Sequence, residues 1–251
     1  MKALLLAAGF GKRLGEVTQN TPKCLVKVGH QTMLDHWLYK LEKLGVQQFF
    51  INTHYLAHQV EECIASHPLK NKINVLHERN LLGTGRTILV NADSLQDDVC
   101  FILHADNYCF DPLDRFLCAH NQRPNDTILS MLTFTTKAPT KCGIVEVDAY
   151  DKLIAFHEKI QSPPSDRANG AVYIASKEFF ETLKGSGSDL IDFSCDVIPS
   201  FIGKIFCYHT DLYFEDIGTI ETLKRANEFT GRRTNQNSQI YANSQSFEPK
   251  S

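Results

Sequence analysis

Three cations lie close together near the start of the chain. Lys12 and Arg13 stand inside the glycine-rich stretch Gly9-Phe10-Gly11-Lys12-Arg13-Leu14-Gly15, and Lys23 follows in Thr21-Pro22-Lys23-Cys24-Leu25. The stretch is entered from Met1-Lys2-Ala3-Leu4-Leu5-Leu6-Ala7-Ala8, an apolar run suited to a buried strand. A buried strand that opens into a glycine loop brings backbone N–H groups up against a phosphate. Clustered cations suit a polyphosphate better than a single phosphate. Two common glycine motifs do not apply. The dinucleotide fingerprint needs a third glycine where Leu14 stands, and the P-loop needs Ser or Thr where Arg13 stands and a glycine in place of Leu6. For the loop taken alone, a plain strand-to-helix turn is the bland alternative.

Two aspartates carry the next piece of chemistry. Asp106 follows the apolar run Val99-Cys100-Phe101-Ile102-Leu103, in His104-Ala105-Asp106-Asn107. In an open α/β sheet, ligands bind beyond the carboxyl ends of the strands. A carboxylate there can hold Mg²⁺ against a bound polyphosphate, because Mg²⁺ usually takes only one or two protein carboxylates. Asp216, in Tyr213-Phe214-Glu215-Asp216-Ile217-Gly218-Thr219, also lies between a strand and a helix. Either aspartate equally suits a turn or a helix cap. Their pairing on one metal is the sharper reading.

Other groups are ambiguous singly. Gly83-Thr84-Gly85 opens a helix and offers backbone donors to a base or phosphate, or is only a hinged turn. In Phe156-His157-Glu158-Lys159 the lysine can hold a phosphate and the glutamate can accept from hydroxyls, or the pair is a solvated face. Asn169-Gly170-Ala171 is similarly open. His54 and His58 could share a helix face, but Tyr55 stands where a zinc hydrolase has its glutamate. His104 and Asp106 could form a metal pair, or His104 is packed. No Ser-His-Asp or Cys-His triad is evident.

The elements that must position these groups follow from periodicity. Met33, Leu34, Trp37, Leu38, Leu41 and Leu44 form one stripe at helical spacing, and Gly45 stops it. Helices are also predicted over 56–65, 87–92, 179–183, 192–201 and 218–229. Strands are predicted over 48–52, 73–76, 99–103, 128–134, 143–147, 153–156, 171–174 and 205–208. Strands alternating with helices over the first hundred residues argue for a parallel sheet covered on both faces. From Arg232 the chain turns polar, so 1–231 reads as the working domain and 232–251 as a disordered tail without room for a second C-terminal module.

The chain has 251 residues, 43% hydrophobic and 22% charged, with net charge −3. That is ordinary globular composition with no basic field for nucleic acid or an acidic membrane. Eight cysteines show no Cys-x-x-Cys spacing and fall largely in apolar runs, which reads as small core residues in a reducing compartment. The N-terminal apolar run lacks a good cleavage site for a signal peptide, and no run approaches the ~20 residues of a membrane span. A cytoplasmic protein is expected.

Taken together and in order, these segments resemble the sugar-1-phosphate nucleotidyltransferase family. The resemblance is carried by Leu6-Ala7-Ala8-Gly9-x-Gly11-x-Arg13-Leu14, Thr21-Pro22-Lys23-x-Leu25, Leu82-Gly83-Thr84-Gly85, Asp106, Cys142-Gly143-Ile144-Val145-Glu146, Glu158-Lys159, Asn169-Gly170-Ala171-Val172-Tyr173 and Asp216-Ile217-Gly218-Thr219. It runs from residue 1 to about 229. It is similar above all to short mannose-1-phosphate guanylyltransferases. The fold it implies is a Rossmann-like α/β/α layer, with a mostly parallel mixed sheet and a small added β region for the acceptor. Two departures stand out: Lys12, where the family commonly has Thr or Ser, and Ala105, where glycine often precedes the aspartate.

The resemblance implies that Leu6, Ala7, Ala8 and Gly9 border the nucleoside, while Gly11 and Arg13 hold the triphosphate and Gly83 and Thr84 line the nucleotide. Lys23 would bridge phosphates near the reacting centre, Asp106 and Asp216 would hold Mg²⁺, and Gly143, Glu158, Lys159 and Asn169 would meet the sugar phosphate. Arg13, Lys23 and Asp106 then carry the catalysis. Glu78 falls where the family often places a residue facing the base edge. A carboxylate only accepts, which suits the adjacent N1–H and 2-amino donors of guanine and favours GTP over UTP or dTTP. Alternatively Glu78 points to solvent. The expected partners are a nucleoside triphosphate and a sugar 1-phosphate, with the sugar and the oligomeric state, a homodimer included, left open. Other readings within reach are transfer to another phosphorylated acceptor such as phosphocholine, and a nucleotide-sugar-binding regulator without turnover. Against the regulator stands the intact set Lys23, Asp106, Lys159 and Asp216.

Overall fold

Consecutive residues of the first strand go to opposite cores. Ala3 and Leu5 join one buried cluster with Trp37, Phe49, Ile51, Phe101 and Leu103, while Leu4 joins the other with Phe50, Ile102, Tyr173 and Phe193. The uninterrupted apolar runs read from the sequence are therefore central strands covered on both faces. The structure is a computed structural model that describes residues 1–97, 99–187 and 190–245, with side chains described as far as 233.

The strands in chain order are β1 (Lys2–Leu6), β2 (Lys27–Val28), β3 (Gln31–Thr32), β4 (Gln48–Thr53), β5 (Ile73–His77), β6 (Cys100–His104), β7 (Asn107–Cys109), β8 (Leu129–Thr135), β9 (Gly143–Val147), β10 (Leu153–Glu158), β11 (Arg167–Ala175), β12 (Ile205–Thr210) and β13 (Phe214–Asp216). Among the described residues they form a nine-stranded sheet and two short ribbons, β7–β13 and β2–β3. The main path runs β10-β9-β11-β6-β1-β4-β5, with β8 paired to β11 and β12. β1 lies parallel to β4 and β6, and β4 parallel to β5; β8 and β12 are also parallel. The pairings of β11 with β6, β8 and β9, and of β9 with β10, are antiparallel. The sheet is thus more evenly mixed than expected, and its antiparallel part supplies the region beside the α/β layer.

Helix α1 (Met33–Lys43) buries Leu34, Trp37, Leu38 and Leu41 at the predicted spacing. Its start is capped by Thr32, whose hydroxyl accepts from the Asp35 N–H at 3.0 Å. Helix α2 is Ala57–Ser66. The single helix expected over 87–92 is two: α3 (Thr84–Val90) and α4 (Ala92–Leu95). Helix α5 (Asp114–Asn121) has no counterpart among the predicted elements, and α6 is Lys177–Gly185. The helix expected over 192–201 is a π-helical turn, Phe193–Val197, followed by the short α7 (Ile198–Ser200). The last helix, α8 (Ile220–Gln245), starts two residues later than the closing helix predicted over 218–229 and continues through residues read as a polar tail. Residues 246–251 lie outside the described residues.

Candidate active site

β1 is the point where the sheet changes direction of growth, with β4 on one side and β6 on the other. In such sheets the crevice lies beyond the carboxyl ends of those strands. A cleft of about 170 Å³ opens there. Its walls include Leu6 at the end of β1 with Ala7, Ala8 and Gly9 beyond it, Gly83 and Thr84 where α3 begins, and Lys23 and Asp106. Sequence reasoning named all eight. It gave no ligand-facing place to Cys24, Asn52, Leu81, Thr87 and Ala105, and it weighed His104 as packed; all six also line the cleft. The available signal for Asn52 was an amide at the carboxyl end of an otherwise apolar strand. Gly11, Arg13, Glu78, Asp216 and the four predicted acceptor residues are not in these walls.

Arg13 and Asp216 are nonetheless tied to the cleft. β7 and β13 pair antiparallel with Asn107 opposite Asp216, and the Ile217 N–H donates to the Asp106 carbonyl at 3.0 Å. This ribbon sets side by side two aspartates that are far apart in sequence. Lys23 is buried, with 8% of the residue exposed, and its ammonium donates to Asp106 Oδ2 and lies 3.6 Å from Asp216 Oδ1. The other oxygen of Asp216 is 3.5 Å from the Arg13 guanidinium. Gly218 makes room for that contact: a Cβ there would sit 2.9 Å from Arg13 Nη2. Burial pushes the Asp106 carboxyl up, but the Lys23 charge, His104 and the Lys23 hydrogen bond together hold it below the usual carboxylate value.

Glu78 lies behind the cleft wall, and the structure gives it different work from the base edge or the solvent. It is 6% exposed. Oε1 accepts from Asn52 Nδ2 at 2.9 Å and from the Thr87 hydroxyl at 2.5 Å, and Oε2 accepts from the Leu82 N–H at 3.0 Å. Asn52 Oδ1 in turn accepts from the Ala7 N–H at 2.6 Å. One buried carboxylate thus braces both glycine-rich walls, the one after β1 and the one at 82–84. A guanine taking both oxygens would have to displace these donors. Gly83 closes the second wall against the backbone of Ile191, whose carbonyl a Cβ would meet at 2.5 Å. From there Gly85 N–H donates to the Ile191 carbonyl at 2.8 Å, and the Thr84 hydroxyl accepts from the Phe193 N–H at 2.8 Å.

The predicted acceptor residues gather on the antiparallel strands. Glu158 ends β10 opposite Gly143 on β9. Lys159 follows with a left-handed backbone (φ 52°), and its ammonium meets Glu158 Oε1 at 2.6 Å. That hydrogen bond is the main reason its pKa is raised. Asn169 on β11 is fixed at both ends of its amide: Oδ1 accepts from the Ala171 N–H at 2.8 Å and Nδ2 donates to the Tyr173 hydroxyl at 2.7 Å. Among the described residues no three His, Cys, Asp or Glu side chains cluster closely enough to hold a metal by themselves. Asp106 and Asp216 together form a two-carboxylate donor set that already converges on one cation, Lys23. This is the hard-oxygen arrangement that suits Mg²⁺ when the remaining ligands are phosphates and water.

Residues 2–233 match the family described as nucleotidyl transferase. Among solved structures, a Bacillus anthracis protein described provisionally as a glucose-1-phosphate thymidylyltransferase, in complex with a sucrose, superposes with a TM-score of 0.80. It is 21% identical over 91% of this chain and 94% of its own, which shows a shared fold. HddC from Yersinia pseudotuberculosis complexed with GMP-PN gives a TM-score of 0.75 at 25% identity, over 91% of this chain and 99% of its own. A second structure of HddC gives 0.73 at 24% identity.

Proposed function

The chain belongs to the nucleotidyl transferase family, and from that premise we propose that it transfers a nucleotidyl group from GTP to a sugar 1-phosphate, giving a nucleotide sugar and pyrophosphate. The observation that carries the reading is the junction of Lys23, Asp106 and Asp216 at the mouth of a cleft walled by residues 6–9 and by Gly83 and Thr84. The acceptor arm of Gly143, Glu158, Lys159 and Asn169 supplies a cation and hydroxyl-binding groups for a phosphorylated sugar.

The reaction needs no protein base. A sugar phosphate has a second pKa of about 6 and is largely dianionic at neutral pH. Its oxygen attacks the α-phosphorus, a new P–O bond forms, and the bond to the pyrophosphate oxygen breaks, with the electron pair leaving on pyrophosphate. The protein aligns two anions and offsets their charge. Arg13 holds the triphosphate, Lys23 bridges phosphates near the reacting atoms, and Lys159 holds the acceptor phosphate. Asp106 and Asp216 would hold Mg²⁺, which supplies charge neutralisation on the phosphates when bound. Leu6, Ala7, Ala8, Gly9 and Gly11 border the nucleotide from one side and Gly83 and Thr84 from the other, with Glu78 bracing both walls.

The preference for GTP is supported by the 25% identity to HddC, which was seen with GMP-PN. The same reading places the enzyme in a reducing compartment such as the cytoplasm. Cys24, Cys100, Cys109 and Cys207 are free thiols packed in the core, and no helix among the described residues is long and apolar enough to cross a membrane. The test is pyrophosphate release across GTP, UTP, dTTP, ATP and CTP against mannose, glucose and heptose 1-phosphates, with and without Mg²⁺. Turnover with a sugar 1-phosphate and GTP is expected. Turnover of none of these pairs overturns the reaction, and a preference for UTP or dTTP overturns the base alone.

A further inference from the structure

Asn107 follows the candidate metal ligand Asp106 directly, yet it belongs to neither the nucleotide cleft nor the acceptor residues. Each of its polar groups that makes a hydrogen bond goes to a different element. Its backbone lies opposite Asp216 in the β7–β13 ribbon. Its carbonyl accepts the indole N–H of Trp37 on α1 at 2.8 Å. Its side-chain Nδ2 donates to the carbonyl of Gly170 on β11 at 2.8 Å. Asn107 is 5% exposed and Trp37 fully buried.

The Gly170 contact bears on the chemistry. β11 slips register against β8 between Asn169 and Tyr173, and Ala171 takes a left-handed backbone (φ 48°). Gly170 therefore lies outside the paired positions of that ladder, and its carbonyl needs a donor from elsewhere. Asn107 supplies it. The same bulge sets the amide of Asn169, one residue before. Asn107 thereby joins the ribbon that carries Asp106 and Asp216 to the strand that carries the acceptor-binding Asn169.

We propose that Asn107 is a positioning residue that fixes the span between the carboxylate pair and the acceptor arm, so that the attacking phosphate oxygen meets the α-phosphorus in line. The proposal rests on the reading of the site given above. Misplacement of reacting groups by about 1 Å can cost roughly a hundredfold in rate. An asparagine suits the task because the donor is short and uncharged: an aspartate would set an acceptor against the Gly170 carbonyl, and an alanine would leave that carbonyl without a partner.

The test is Asn107→Ala and Asn107→Ser, assayed for pyrophosphate release with each substrate varied in turn. Calorimetric titrations with GTP plus Mg²⁺, and separately with the sugar 1-phosphate that the wild type uses best, give binding independent of turnover. Asn107→Ala should lower kcat by roughly tenfold or more and weaken sugar-phosphate binding about fivefold. GTP binding should stay within about twofold. Asn107→Ser keeps a short donor and should lie between wild type and Asn107→Ala. The unfolding temperature falls on either account, because the Gly170 carbonyl loses its partner; a merely structural role would weaken both substrates alike, and that result overturns the proposal. So does an acceptor kcat/KM within about twofold of wild type. Where Asn107→Ala does not fold, Asn107→Ser decides by the same two criteria. A wild-type protein that releases no pyrophosphate with any sugar 1-phosphate overturns the functional reading itself, which the variants cannot do.

Discussion

Replacing Glu78 by Gln exchanges one acceptor oxygen of a buried carboxylate for a donor, in a place where three donors already point. Asn52 and Thr87 donate to Oε1 and the Leu82 N–H donates to Oε2. A glutamine whose oxygen faces Asn52 and Thr87 turns its NH₂ toward the Leu82 N–H. The opposite rotamer turns the NH₂ toward Asn52 and Thr87. The Thr87 hydroxyl can rotate to accept, but Asn52 cannot flip without turning its own NH₂ onto the Ala7 N–H, which its Oδ1 now accepts at 2.6 Å. Either arrangement sets at least one buried donor against another. A buried group without its partner costs about 1–3 kcal/mol. Each kcal/mol lowers the melting temperature of a chain of this size by roughly 2–4 °C, so Glu78→Gln should melt about 2–12 °C lower. Because the strain falls on Leu82 at one wall or on Asn52 and Ala7 at the other, the KM for GTP, UTP and dTTP should rise together. A carboxylate that reads guanine directly would instead give a swap from GTP to pyrimidine triphosphates with the fold intact. Thermal unfolding and pyrophosphate release with the three triphosphates separate the two. A variant with wild-type melting temperature that loses GTP turnover and gains UTP turnover would refute the bracing argument.

Asp106→Asn and Asp216→Asn should each lower Mg²⁺-dependent kcat by roughly 10²–10³ while circular dichroism stays native; near-wild-type turnover in either removes that residue from the metal pair. Lys159→Ala should mainly raise the KM for the sugar phosphate and Arg13→Ala that for the triphosphate, and equal effects on both substrates in steady-state kinetics would undo this division. His120 is pushed down to about 3, chiefly by burial and then by Arg123, and it stays neutral in the fold while an unfolded histidine takes up a proton near 6.5. The unfolded state then binds more protons between those values, so stability should fall as pH drops from 6.5 toward 3, and His120→Leu should make the melting temperature less steep against pH over that window. An unchanged slope would show that the histidine is protonated in the native protein.

The parallel half of the fold was legible because its central strands β1, β4 and β6 are mostly buried and read as apolar runs, and because α1 carries a clean stripe that Gly45 stops. The antiparallel half was less so. β11 extends from Arg167 to Ala175, yet only 171–174 were predicted, since Arg167 and Asn169 are polar and Gly170 marks a bulge rather than a strand interior. The π-helical turn at Phe193–Val197 keeps the apolar spacing of an ordinary helix, so only its geometry sets it apart. Helix α5 was missed for lack of a sharp apolar stripe: it fully buries Phe116, while Arg115, Asn121 and exposed Cys118 interrupt the pattern. Candidate residues whose type is forced by backbone geometry were legible as cleft-lining positions, as in the stretch from Leu6 to Gly9. Glu78 was misjudged because its neighbours, Asn52 and Thr87, arrive from other elements, and no spacing along the chain shows that three donors meet one carboxylate.

The charge balance of the site bears on why its acids and bases are placed together. Arg13 and Lys23 are cations, Asp106 and Asp216 anions, and the four form one chain of contacts through Asp216. Within the protein they offset one another, which lets Lys23 remain buried at 8% exposure. On the proposed reading, Lys23 and Arg13 turn to phosphate oxygens when a triphosphate binds. That exchange satisfies the cations but leaves two neighbouring carboxylates, Asp106 only partly exposed, facing a polyanion without counter-charge. Such a state is costly. A divalent cation held by Asp106 and Asp216 restores the balance. On that reading a requirement for Mg²⁺ follows from the local charges, and it would account for one cluster of Lys23 and two aspartates that come from the N-terminal turn, the residues just past β6 and the end of β13. It also follows that Lys23→Met should weaken triphosphate binding more in the absence of Mg²⁺ than in its presence. Calorimetric titration of GTP into wild type and variant, with EDTA or with Mg²⁺, measures the difference. Equal losses under both conditions would mean that the lysine and the carboxylates act independently, and the exchange argument would fall.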